Sequence, residues 1–294
     1  MNAEIKYDTR DSKVDTLPEG VKYAICAVSG GMDSATCLFH AVRTYGAENV
    51  CGVALYYGQR HDIELAAAKE ECDSLKVRYI ELDVTPIFNF NRDISALFAG
   101  SKKEVVQDKD YATIMHEKIA KGEAPISDEY IPNRNSLFMN ALCAIGLQVF
   151  EEKPFAVITG IHSDDVLKQE GSNVGAYPDC SPEFAIATNK ALQISTSGLC
   201  YLYTPLLHKT KAQVAEFGKE NGMTYSDFNK TWSCYKGGIK HWTHYKGKIK
   251  QCGRCPTCID RINALVKAGI YVTVTDIMNN YDITAEVAMK YMGK

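Results

Sequence analysis

No run in this 294-residue sequence is long and apolar enough to span a bilayer, and the polar stretch from Met1 to Gly20 lacks the apolar core of a secretory signal. These absences exclude a membrane-spanning helix and make the cytoplasm the expected compartment. An excess of charge of one sign is also lacking. The 33 basic residues against 36 acidic ones leave −3, too little for a global field that gathers nucleic acid or an anionic membrane. Internal repeats and low-complexity tracts are absent, so repeat architectures and linker-like chains fall away. What remains is a composition of 46% apolar and 23% charged residues, enough to bury a core in one large α/β domain or in a domain with an appended module.

Short apolar runs alternate with helical stretches. Tyr23–Val28 ends in Ser-Gly-Gly and precedes a helix over Ala35–Tyr45. Val50–Tyr57 precedes a helix over Ile63–Leu75, and Val77–Val84 follows it. A helix over Arg134–Phe150, strands over Phe155–Ile161 and Leu202–Leu206, and a helix over Lys211–Asn221 continue the rhythm. Strands alternating with helices predict a parallel, doubly wound sheet. The charged segment Asn91–Ser127 interrupts it and reads as an insertion or lid with some helix. Leu167–Ala176, with two glycines, reads as a loop at an edge where substrate contacts gather.

The first apolar run leads into Ser29, Gly30, Gly31, Met32, Asp33 and Ser34. Two glycines allow a tight turn that brings the backbone close to an anion, and the following helix offers unpaired N–H groups and the positive end of its dipole. The hydroxyls of Ser29 and Ser34 are expected to add donors to that nest. The lysine of a Walker loop is missing, so this cradle is of another kind. Asp33 suits Mg²⁺, which takes carboxylate and phosphate oxygens, and its alternative is a plain helix-terminal role.

The eleven cysteines are unevenly placed. Cys26, Cys37, Cys51, Cys72, Cys143 and Cys200 are scattered in apolar elements, whereas Cys234, Cys252, Cys255 and Cys258 crowd the last quarter. The last three form two overlapping C-x₂-C units, with Cys234 seventeen intervening residues earlier. Four soft sulfurs suit tetrahedral Zn²⁺ in a closed, structural site, and an iron–sulfur cluster is the rival. His241 and His244 lie in the intervening loop as alternative ligands. Lys236–Lys250 carries five lysines and no acid, either a solvated face or a contact for an anionic partner.

SGGMDS after the first strand resembles the pyrophosphate-binding loop of the N-type ATP pyrophosphatases (the PP-loop superfamily), which cleave ATP to AMP and pyrophosphate. TWSCYKGG and CGRCPTCIDR around the four cysteines look like the C-terminal zinc signature of the 7-cyano-7-deazaguanine synthase family. YYGQRHDIEL at Tyr56–Leu65, IPNRNSLF at Ile131–Phe138, YPDCSPEF at Tyr177–Phe184 and YTPLLHKTKAQV at Tyr203–Val214 agree with it, so the resemblance runs from Ala24 to about Ala264. It implies an adenine nucleotide alpha hydrolase-like α/β fold with a C-terminal zinc-binding helical segment. The expected division is an extension over 1–20, an ATP pyrophosphatase domain over 21–225 with the insertion at about 91–127, and the zinc segment over 226–294.

The resemblance further implies a ligase that adenylates a 7-carboxylate with ATP, captures it with ammonia as an amide, and activates that amide again to leave a nitrile. Asp33, Lys211 and Arg134 are its expected catalytic residues, and residues 29–34 hold the nucleotide. Lys209 is a second cation near Lys211; Thr210 with Gln213 spells a capping box that makes Lys211 a surface residue in the alternative reading. Asn133 is the expected cap of the helix that Arg134 begins. His61, Glu64, Tyr177 and Asp179 are the expected substrate residues, with Asp179 reading the N–H edge of a flat base and Cys180 either beside it or in the core. For His61 and Glu64 an ordinary surface role is the alternative. Zn²⁺, Mg²⁺ and ATP are the expected cofactors and co-substrate, and a homodimer, a transfer RNA or a protein acceptor stays open.

Overall fold

The computed structural model describes residues 13–151, 153–162, 177–236 and 250–293. The expected loop at Leu167–Ala176, His241, His244 and all of the lysine-rich loop but its ends lie outside the described residues. The chain runs β1 (Tyr23–Ala27), α1 (Met32–Tyr45), β2 (Val50–Tyr56), α2 (Ile63–Leu75), β3 (Arg78–Asp83), α3 (Thr85–Phe88), α4 (Tyr111–Ala120), α5 (Arg134–Val149) and β4 (Phe155–Ile158). It continues through α6 (Pro182–Ser195), β5 (Cys200–Tyr203), α7 (Lys211–Glu220), α8 (Tyr225–Lys230), α9 (Pro256–Lys267), α10 (Val274–Asn280) and α11 (Ala285–Tyr291). No helix among the described residues is long and apolar enough to cross a membrane.

All strand pairs are parallel, in the order β3-β2-β1-β4-β5. Winding proceeds outward from β1 through β2 to β3, then restarts on the other side with β4 and β5. The carboxyl ends of β1 and β4 therefore flank the crevice where the winding reverses, the place where open α/β sheets bind ligands.

Side chains alternate along each strand between two apolar clusters, one per face of the sheet. Ala24, Cys26, Ala54, Ala156 and Ile158 face a layer that includes Leu38 of α1, Cys72 of α2 and Val214 of α7. Ile25, Val53, Phe155 and Val157 face Met139 and Leu142 of α5 and Leu192 of α6. The first cluster continues without a break into Cys255, Cys258, Ile262 and Leu265 of the C-terminal segment. The scattered thiols Cys26, Cys37, Cys51, Cys72, Cys143 and Cys200 are buried here as small apolar side chains.

Two strands stop three residues short of the sequence expectation. β5 ends at Tyr203 because Thr204 turns its N–H and its hydroxyl to the carbonyl of Val14, at 2.6 and 3.0 Å, instead of extending the ladder. β4 ends at Ile158, and Thr159 to His162 turn toward the crevice. The helix α6 is unanticipated, although Ser181 caps it by accepting from the Phe184 N–H and Pro182 occupies its first turn.

Candidate active site at the reversal of the sheet

The loop between β1 and α1 is pressed against the start of α2. At Gly30, φ is +77°, and a Cβ there would stand 2.1 Å from the Glu64 carbonyl oxygen and 2.9 Å from the Ala68 nitrogen. Only glycine fits such a position. The Gly30 carbonyl accepts from the Trp232 N–H at 2.7 Å, which joins the loop to the segment that carries the first metal-site cysteine.

Ser34 Oγ donates to the Gly31 carbonyl (3.0 Å) and accepts from the Ser29 N–H (3.1 Å), while Ser29 Oγ accepts from the Gly31 N–H (3.3 Å) and lies 3.1 Å from Ser34 Oγ. Both hydroxyls bond within the loop and fix its shape, and both residues line the crevice. Gly31 caps α1 without a side chain, and Met32 is buried, so these two residues offer an anion only backbone at the dipole's positive end.

Asp33 leaves the first turn of α1 toward the crevice. Lys211 Nζ lies 2.5 Å and His162 Nε2 3.6 Å from its Oδ2, and these two nitrogens are 3.4 Å apart. Burial pushes the Asp33 carboxyl up, but Lys211 and His162 outweigh it and hold it well below the usual carboxylate range. Oδ1 is buried and has no hydrogen-bond partner among the described residues. The capping box of Thr210 and Gln213 is present, yet it presents Lys211 to the crevice rather than to solvent. Lys209 instead lies 4.9 Å from the centre of the Phe217 ring, away from the crevice wall.

These groups line a cavity of about 280 Å³, on the scale of a small-molecule site. Arg134, the first residue of α5, also lines it, stacked over Tyr57 (5.4 Å) and Phe138 (5.7 Å), with Nη1 donating to the Tyr57 hydroxyl at 3.2 Å. His61 and Glu64 are buried in the same wall, 3.4 Å apart, so the surface reading of this pair is corrected: the close approach of α2 to the Gly30 loop turns them inward. Burial, with Arg134 and Arg60 nearby, lowers His61 to about 3, and burial raises Glu64 to about 8.

The turn Tyr177–Cys180 splits its expected roles. Tyr177 and Cys180 line the cavity. Asp179 lies behind that wall, where its Oδ2 accepts from the Asn135 N–H at 3.1 Å at the start of α5. Asn133 does not cap this helix, which corrects that expectation. Its backbone is left-handed (φ 61°) and its side chain makes no cap bond, so Asp179 takes the role from a distant turn.

The insertion also reaches the cavity. Tyr111, at the start of α4, lines it with its hydroxyl 3.0 Å from that of Tyr177, which lies 3.3 Å from Ser127 Oγ. Tyr57, Tyr111, His162 and Tyr235 are site residues that the sequence reading does not single out. Tyr57 and Tyr235 sit inside blocks quoted for the resemblance, and His162 follows β4 at the reversal point, so those signals were available.

The four Sγ atoms of Cys234, Cys252, Cys255 and Cys258 lie within 4.8 Å of one another. The Cys255 and Arg254 N–H groups donate to Cys252 Sγ at 3.3 and 3.4 Å, and the Cys252 N–H donates to Cys234 Sγ at 3.4 Å, bonds that suit thiolate acceptors. The set is built to hold a metal ion. Thr257 and Asp260, one turn into α9, line the cavity, and Tyr235 does so directly after Cys234. Arg254 grips Asp108 of the insertion at 2.8 and 2.5 Å, and the Asp108 N–H donates to the Arg254 carbonyl at 2.7 Å.

The sequence model of the family described as "Queuosine biosynthesis protein QueC" matches residues 23–269. A "7-cyano-7-deazaguanine synthase" of Caldicellulosiruptor saccharolyticus is 31% identical, covering 84% of this chain and 92% of that protein. A "7-cyano-7-deazaguanine synthase 2" of Colwellia psychrerythraea is 32% identical, covering 83% and 94%. Among solved structures, an NMN synthetase from Francisella tularensis aligns over 93% of this chain and 83% of its own, with 15% identity and a TM-score of 0.40. The reversed parallel sheet, the SGGMDS loop and the cysteine set thus coincide with a family match over most of the chain, which belongs to the QueC family of queuosine biosynthesis proteins.

Proposed function

We propose that the protein converts 7-carboxy-7-deazaguanine and ammonia to 7-cyano-7-deazaguanine, consuming ATP and releasing AMP and pyrophosphate in two rounds of activation. The observation that carries this reading is that one cavity wall joins a phosphate loop, the Asp33–Lys211 pair and an arginine stacked on aromatic rings. Hydroxide is a poor leaving group from a carboxylate at neutral pH, whereas an acyl adenylate departs as AMP. The protein's task is to orient the reactants and to stabilise charge as it moves onto pyrophosphate.

In this reading the backbone of residues 29–34 receives the phosphates, and Lys211 offsets the charge growing on the leaving pyrophosphate. Arg134, fixed over Tyr57 and Phe138, meets the substrate carboxylate, and Tyr177 and Tyr235 flank the flat base. Asp33 Oδ1 is the carboxylate oxygen that suits Mg²⁺, which would neutralise phosphate charge when bound. The cysteine set fits Zn²⁺: on one tetrahedral ion with Zn–S near 2.3 Å, sulfurs stand roughly 3.8 Å apart. Cys252 Sγ and Cys258 Sγ are 3.9 Å apart, a spacing tighter than thiolates on separate irons of a cluster would adopt. Four thiolates leave no open position, so that ion serves structure.

Mass spectrometry and nucleotide chromatography test the proposal with ATP, 7-carboxy-7-deazaguanine and ammonium. A nitrile together with AMP is expected. ADP as the sole nucleotide product, or coupling of the carboxylate to RNA or protein in place of ammonia, would overturn it.

A further inference from the structure

The proposed reaction produces protons on nitrogen, and no group named so far accepts them. Ammonia that attacks the acyl adenylate forms a C–N bond as the C–O bond to AMP breaks, and the four-bonded nitrogen must shed one proton. In the second round the amide oxygen takes the α-phosphate of another ATP, pyrophosphate leaves, and the nitrogen loses a second proton. The third leaves as the C–O bond to AMP breaks and the nitrogen lone pair completes the triple bond. An acceptor for each must line the cavity within hydrogen-bond reach of the reacting nitrogen.

From the geometry of the cavity wall we infer that Glu64 is the proton acceptor of the nitrogen-transfer steps and that it marks the ammonia subsite; the inference rests on the function proposed above. The side chain is buried and lines the cavity, and its backbone touches the phosphate loop at Gly30. Its two oxygens are held in different ways. The Tyr57 N–H donates to Gln59 Oε1 at 2.9 Å, which fixes that amide so that its Nε2 donates to Glu64 Oε1 at 3.2 Å. Glu64 Oε2 faces His61 Nε2 at 3.4 Å, and His61 is itself stacked on Tyr235 with ring centres 4.9 Å apart.

His61 makes this pair reversible. Held neutral by burial, His61 can carry a proton on the Nε2 that faces Glu64 as a carboxylate and, in the other tautomer, offer a lone pair there to Glu64 as a carboxyl. Its Nδ1 is buried without a partner among the described residues, so neither tautomer is locked from the far side of the ring. His61 therefore acts as a positioning residue. Arg134, Tyr57 and Tyr235 face Glu64 from other elements, and Asp62 and His61 from its own helix start. Burial outweighs the Gln59 bond and Arg134 and raises Glu64 to about 8, so it holds a proton taken from nitrogen near neutrality and must pass each one to solvent before it accepts the next.

The test separates the two half-reactions. In Glu64→Gln, ATP–pyrophosphate exchange with 7-carboxy-7-deazaguanine reports a folded, adenylating site, and it is expected to slow far less than nitrile formation from ammonium, which should fall by roughly 10²–10⁴-fold. Hydroxylamine, uncharged near neutrality, then isolates the acceptor from ammonium's own ionisation. Glu64 accepts a proton only when ionised, so wild-type acyl transfer to hydroxylamine should rise as pH passes through about 8, and Glu64→Gln should lose that limb. His61→Asn should shift the limb without abolishing it. Equal loss of exchange and acyl transfer, or a limb kept in Glu64→Gln, would overturn the assignment. A wild type that exchanges pyrophosphate yet never forms amide or nitrile would instead overturn the proposed function, and this inference with it.

Discussion

Lys211 occupies the first turn of a helix whose capping box is legible in the sequence, and that box alone describes a surface residue. What the sequence does not contain is its partner: Asp33 lies 178 positions away, and only the adjacency of α1 and α7 brings Nζ to 2.5 Å from it. His61 and Glu64 show the same limit in reverse, because a histidine and a glutamate at a helix start look solvated until the glycine loop is seen pressing on α2. If Lys211 meets the leaving pyrophosphate, Lys211→Met should lower ATP–pyrophosphate exchange by roughly 10²–10³-fold, the usual loss on removing one oriented charge donor. A variant within about tenfold of wild type would restrict Lys211 to holding Asp33 ionised.

Among the elements, the strands and helices around β1 to β3 are legible because each apolar run stops at a turn signal. β5 is less so, since LYTPLL stays apolar past its end; Leu206 and Leu207 are buried after the chain has already left the sheet for Val14. The start of α5 is the instructive failure. Asn133 carries the right side chain for a cap but the wrong backbone, and Asp179 completes the helix from 44 residues away. That helix aims Arg134 at the cavity. Asp179→Ala should therefore cost about 0.5–2 kcal/mol, as other lost caps do, and should raise KM for the deazaguanine more than for ATP. Thermal melts and steady-state kinetics check both, and Asp179→Asn should recover most of the loss. An unchanged KM for the deazaguanine would detach this cap from substrate positioning.

At the scale of the whole molecule, alternation of strand and helix announces the parallel sheet, and the order of its strands puts the crevice beside SGGMDS. Part of the wall of that crevice is not announced, because it comes from far-separated stretches: Tyr111 from the insertion and Tyr235 from beside a metal-site cysteine. Nothing in local pattern requires the insertion to reach across to Arg254, yet a forked pair with Asp108 fastens it there. The single bond from the Trp232 N–H to the Gly30 carbonyl has a thermodynamic corollary. It ties the strand of chain leading into Cys234 to the loop proposed to receive phosphates, so in that reading two distant ligands share one mechanical support. Linkage is reciprocal: whatever factor the metal contributes to ATP affinity, ATP contributes to metal retention. Saturating ATP should accordingly slow the extraction of metal by a chelator, and a metal-stripped protein should bind ATP more weakly by the matching factor; extraction at the same rate with and without ATP would show that the two sites are energetically separate.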